Sequence, residues 1–69
     1  MTQRRISPPQ ANRSFRERRL AAGRSIRALE QATGIHRAHL SMIERGLMPS
    51  LEEHAAIEAA LVGWEEAAK

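Results

Sequence analysis

The chain contains no cysteine. That removes disulfides and thiolate metal sites and fits a reducing, cytoplasmic setting. It also has no apolar run near the roughly 18 residues of a membrane span. The opening MTQRRIS has the charge of a secretory leader, but PPQANRS stands where the apolar stretch would be. β-Branched residues are few and nothing alternates, so no strand is expected. There is no glycine-rich phosphate loop and no pairing of a nucleophile with a base. An enzyme is therefore not expected, nor a cofactor, nor a small-molecule substrate. Of its 69 residues, a chain this short buries only about 60% of its unfolded surface. That allows one core and no deep catalytic cleft.

Arginine is plentiful, and it is unevenly placed. Residues 1–46 hold ten arginines and three glutamates, a balance of +7, while residues 47–69 hold one lysine and five glutamates, a balance of −4. Such asymmetry points to a basic face for a polyanion and an acidic region directed elsewhere. The plainer alternative is a solvated, arginine-rich surface.

Residues 1–7 read as a flexible basic arm carrying Arg4 and Arg5, and residues 8–69 as one folded domain. Ser7, Pro8 and Gln10 can start a helix, and SFRE at 14–17 offers a later start by the same capping-box rule. The first helix therefore begins within 8–15 and ends at Ala22, before Gly23. Ser25 caps a second helix, IRALEQAT, which Gly34 ends. The third runs from about His36 to Arg45 and stops at Gly46. Ser50 and Glu53 form a capping box for a fourth over about 51–62, and WEEAAK after Gly63 is a short last turn or two. The expected class is all-α, a compact domain of four or five short helices.

The apolar residues fit those helices. Ile26, Leu29 and Thr33 share one face of the second, and Leu40 and Ile43 one face of the third, with Leu47 just beyond. TGIH is too short a link for two helices to lie comfortably antiparallel. They should cross steeply, with Ile35 filling the angle, as in a helix-turn-helix.

At this point the sequence resembles the Cro/CI-type, or XRE-type, helix-turn-helix family of phage repressors and bacterial regulators. The residues that carry the likeness are FRERRLAAGRS, LEQATGI, HLSMIERG and PSLEE, spanning about Ser14 to Leu61. The resemblance implies a lambda-repressor-like fold. It also implies that Arg19 of the first helix pairs with Glu44 at the end of the third. The chain departs from the family at several places. Glu30 stands where alanine is usual, Arg18 and Arg24 where leucine is usual, and His54 and Glu58 where apolar side chains are expected. Long stems can snorkel, or Glu30 and Glu58 can pair with Arg18, Arg24 or His54.

In that fold the start of the third helix enters the major groove of DNA. The resemblance then assigns base contacts to Arg37, Ala38 and Met42, with His36 and Ser41 beside them. Arg37 suits guanine, because its planar fork can donate to both O6 and N7. A cation at a helix start also opposes the helix dipole, which suggests an external anion. Phosphate contacts are expected from Ser25, Arg27, His39 and Arg45. Where the family often carries a phosphate-binding glutamine, this chain has Ile26, so either Arg27 takes that role or the contact is lost. Arg4 and Arg5 either enter an adjacent minor groove or stay unstructured.

The expected partner is a double-stranded DNA operator, with no membrane partner. The expected role is a transcriptional regulator of the phage Cro or immunity-repressor kind. Two copies would place recognition helices about 34 Å apart, and binding by one copy stays open. The competing reading is a protein-interaction module, such as an antitoxin, using the fourth helix and the C-terminal segment. There Leu61, Val62 and Trp64 would form an exposed apolar patch, unless Trp64 closes the core instead. His36 and His39 invite a metal reading, but two imidazoles do not close a site, and no metal is expected.

Overall fold

Short polar side chains set where each helix begins. The computed structural model describes residues 14–68. Helix α1 (Phe15–Ala21) opens on a full capping box: the Glu17 amide donates to Ser14 Oγ at 3.0 Å and the Ser14 amide to Glu17 Oε1 at 3.2 Å. This is the SFRE start. The Ser7 start and the arm with Arg4 and Arg5 lie outside the described residues. Helix α2 (Ile26–Thr33) is capped by Ser25, whose Oγ accepts from the Ala28 amide at 3.1 Å. Helix α3 (Arg37–Glu44) is capped by His36. Helix α4 (Leu51–Ala67) begins with the Ser50–Glu53 box. Each such cap satisfies amides that the first helical turn leaves without partners.

Helix α4 differs from expectation at its far end. It runs unbroken through Gly63 to Ala67 rather than stopping near residue 62 and restarting. A helical glycine costs only about 1 kcal/mol relative to alanine. Leu61 is fully buried before Gly63 and Trp64 packs on the core after it. That burial outweighs the local cost.

The core is small and wholly aliphatic: Leu29 from α2, Leu40 and Ile43 from α3, Ile57 and Leu61 from α4. Phe15, Ile26, Ile35, Ala60 and Trp64 close around it. Ile57 and Leu61 are one helical turn apart, so α4 offers a single stripe across the α2–α3 pair. Leu47, expected to continue the α3 stripe, is instead exposed, because the chain has left the helix at Gly46.

The turn between α2 and α3 is fixed from both sides. Gly34 takes the left-handed conformation at φ 77° and donates to the Glu30 carbonyl at 2.8 Å, a geometry that costs little only without a Cβ. Thr33 Oγ1 donates to the Leu29 carbonyl at 2.8 Å and accepts from the Ile35 amide at 3.1 Å. The direction of α3 is thereby tied to the last turn of α2.

Two buried arginines of α1 do the rest of the clamping. Arg19 closes bidentately on Glu44, with Nε to Oε2 at 2.8 Å and Nη2 to Oε1 at 3.1 Å, and its Nη1 donates to the Arg24 carbonyl at 2.8 Å. One side chain thus joins α1 to the end of α3 and to the residue that precedes the α2 cap. Arg18 grips Glu65 bidentately at 2.8 and 2.9 Å and Glu58 at 2.8 Å. Its guanidinium pKa is raised still further above the usual arginine value, chiefly by the hydrogen bonds to Glu65, with burial opposing and Glu58 assisting. Arg18, at a leucine position, and Glu58, at an apolar one, are therefore accommodated as partners in an ion pair. Arg24 lies over the Trp64 ring at 5.2 Å, and His54 packs on Phe15 with ring centroids 5.3 Å apart. Among the described residues no helix is long and apolar enough to cross a membrane.

Candidate nucleic-acid interface

Helix α3 divides its residues cleanly. With 100° per residue, Arg37, Ala38, Ser41, Met42 and Arg45, the C-terminal cap, fall on one arc of the surface, and Leu40, Ile43 and Glu44 on the other. Leu40 and Ile43 are in the core and Glu44 is held by Arg19. On the outer arc Arg37, Ala38, Met42 and Arg45 are exposed and Ser41 is half-buried. The inward face is thus consumed by packing, and the outward face is left uncovered by the described residues.

The described residues leave the leading end of α3 open as well. His36 is exposed, and its Nδ1 accepts from the Ala38 amide at 3.0 Å. With Nδ1 occupied as an acceptor, the neutral ring carries its proton on Nε2 and can donate it outward. Arg37 keeps 46% of its side-chain surface exposed and touches Glu30 through one contact, Nη1 to Oε1 at 3.2 Å. Glu30 therefore pairs with Arg37 rather than with Arg18, Arg24 or His54. The unfavourable position of a cation at this helix start is met in part from within the chain.

Arg27 and Arg45 are exposed, and neither forms an ion pair among the described residues. Ser25 is exposed too, although its Oγ already accepts a hydrogen bond as the α2 cap. His39 is half-exposed and has a partner of its own. Its Nε2 meets Glu53 Oε2 at 3.0 Å, which turns the ring toward α4 and off the outer arc. Glu53 is held below the usual carboxylate range, first by the Ser50 backbone amide, with burial opposing and His39 assisting. The pair links α3 to the start of α4.

Sequence reasoning did not single out Glu30 or Glu53 as partners of the expected contact residues. Each lies on a neighbouring helix, so only the fold brings them together. His36 and His39 have separate partners, the Ala38 amide and Glu53, and among the described residues no group of three or more suitable side chains could hold a metal ion. The apolar patch expected on Leu61, Val62 and Trp64 does not form. Leu61 is fully buried and Trp64 is packed on the core, which leaves Val62 exposed by itself.

A family model described as Helix-turn-helix matches residues 15–61. The match runs from the first residue of α1 to the last core leucine of α4. No curated protein and no solved structure matches.

Proposed function

The chain belongs to the Cro/CI-type, or XRE-type, helix-turn-helix family of DNA-binding regulators, and from that premise we propose that it is a sequence-specific repressor of the phage Cro kind. The observation that carries this reading is the uncovered outer arc of α3. Arg37 is the guanine reader, donating from two N–H groups to O6 and N7. Ala38 and Met42 supply apolar contact for thymine methyls, and His36 and Ser41 supply hydrogen bonds at the rim. Ser25, Arg27 and Arg45 contact phosphates, and Arg4 and Arg5 of the arm reach the neighbouring minor groove. His39, 40% exposed at its side chain while it meets Glu53, is a further phosphate contact. Such a protein acts where duplex DNA is, which in a bacterial cell is the cytoplasm.

The repressor binds as two copies. Just past α3 the apolar side chains of Met48 and Leu51 are 85% and 90% exposed, with Leu47 beside them. In the chain Arg45 precedes this stretch and Glu52 follows it, both exposed. Two copies meeting there would each cover the same apolar side chains, as an isologous interface requires.

Selection of bound sites from random duplexes tests both parts. A near-palindromic motif with half-sites one helical turn apart is the expected outcome. A single half-site would remove the dimer, and recovery of duplexes with no shared sequence would remove the reading. Affinity should also fall steeply with salt, by about 0.9 in the logarithmic slope for each phosphate neutralised.

A further inference from the structure

Glu30 is a conspicuous residue in this arrangement. It places a carboxylate beside the very arginine that faces outward, where an anion would repel a polyanionic ligand. Its side chain is only 26% exposed. Its own carbonyl is tied to Gly34 by the hydrogen bond that closes α2, at 2.8 Å. The carboxylate therefore projects from a well-anchored point of the turn, and it meets Arg37 at one guanidinium nitrogen, 3.2 Å away.

Arginine offers five N–H donors in a planar fork. One contact to Nη1 leaves the Nε and Nη2 donors free, and those two alone can serve O6 and N7 of a guanine. A free arginine on a helix surface samples many rotamers and pairs with any phosphate it meets. An arginine held at one corner is restricted in its rotamers, and its charge is partly neutralised toward phosphates. The same carboxylate thus has two effects that move in opposite directions: it weakens sequence-independent attraction and strengthens base reading.

We propose that Glu30 is a positioning residue that sets the specificity of DNA recognition, by bracing Arg37 for guanine and suppressing its attraction to phosphate. The inference rests on Arg37 being the base reader, and the test separates the two. Three variants are compared with the unaltered chain: Glu30→Ala, Glu30→Gln and Arg37→Ala. Each is titrated against the duplex selected from a random pool, the same duplex with the contacted guanine replaced, and a scrambled duplex. Thermal melting confirms that each variant is folded.

Arg37→Ala should abolish discrimination at the one base pair. Glu30→Ala should lower that discrimination about fivefold or more, while affinity for the scrambled duplex rises. Glu30→Gln keeps an oxygen acceptor without the charge. It should show the same rise on the scrambled duplex and an intermediate discrimination, and it carries the test should Glu30→Ala fail to fold. If Arg37→Ala leaves discrimination intact, the reading of Arg37 fails and this inference falls with it. If Arg37→Ala abolishes discrimination while both Glu30 variants keep it unchanged, the inference alone is overturned. A fall in affinity for all three duplexes by the same factor would assign Glu30 a merely structural role and would equally overturn it.

Discussion

Arg19 and Arg37 are the same residue type in opposite circumstances. Arg19 is 8% exposed, and its fork is filled by Glu44 and by the Arg24 carbonyl. Arg37 keeps nearly half of its side-chain surface and has one corner held by Glu30. The first belongs to the rear of the domain, where α1 clamps α3 and α4. The second belongs to the front, where α3 faces away from everything it packs on. The number of donors already used separates the two roles better than residue type does, because both are guanidinium groups. An arginine with a filled fork supports the fold, and one with open donors is available to a ligand.

The comparison breaks most sharply at the rear. Glu44→Ala leaves the Arg19 charge buried without its carboxylate, which should cost about 3–5 kcal/mol. In a domain this small that is most of the margin, since total stabilities start at about 5 kcal/mol. Urea or thermal unfolding should show a largely unfolded chain at room temperature. A melting curve close to that of the unaltered protein would mean that the clamp is not structural.

At the front the effect should move from stability to recognition. Arg37→Ala removes a half-exposed surface pair, so unfolding should change by no more than about 1 kcal/mol. Discrimination at one base pair should fall by about 1–3 kcal/mol, read from gel shifts on single-substitution duplexes. Next in size is a change that strengthens the scaffold. Gly63 lies inside α4, and a Cβ added there meets nothing within 4 Å. Gly63→Ala should therefore stabilise by about 0.5–1 kcal/mol, with DNA affinity unchanged, and would provide a sturdier background for the front-face variants.

The smallest expected effect lies at the link between front and rear. The Glu53 carboxyl sits below its ordinary range, chiefly through the Ser50 amide and secondarily through His39. A carboxyl lowered on folding stabilises the fold above the ordinary carboxylate range, and the contribution fades as pH falls through the lowered value. Glu53→Gln can keep the capping-box hydrogen bond but cannot titrate. Its acid unfolding curve should be shallower over that window than that of the unaltered chain. Identical acid limbs would show that the carboxylate does not matter.

What the sequence made legible follows from how local each interaction is. Ser14, Ser25 and Ser50 cap helices through atoms three residues away, and Gly34 closes one within four. Such contacts depend on little but chain geometry, so they can be read from spacing. Leu29, Leu40 and Ile43 were equally readable, because helical period places Leu29 on one face of α2 and Leu40 and Ile43 on one face of α3. Gly63 misled because its local cost is smaller than the burial gained by Leu61 and Trp64 on either side. Arg18 was opaque for another reason: its partners, Glu58 and Glu65, come from the far end of the chain. Arg19 and Glu44 are also distant in sequence, and only resemblance to a family drew attention to them. Among candidate contacts, exposure of the outer arc follows from burial of the opposite one. The engagement of Arg37 by Glu30 and of His39 by Glu53 required the packed helices to be known.

The most direct measurement is an amide and methyl chemical-shift titration of the folded protein with the duplex recovered by selection. The expected perturbations cluster on His36, Arg37, Ala38, Ser41 and Met42, extend to Ser25, Arg27 and Arg45, and spare the middle of α4 around Ile57 and Leu61. Perturbations centred on α4, with the outer arc of α3 silent, would contradict the account.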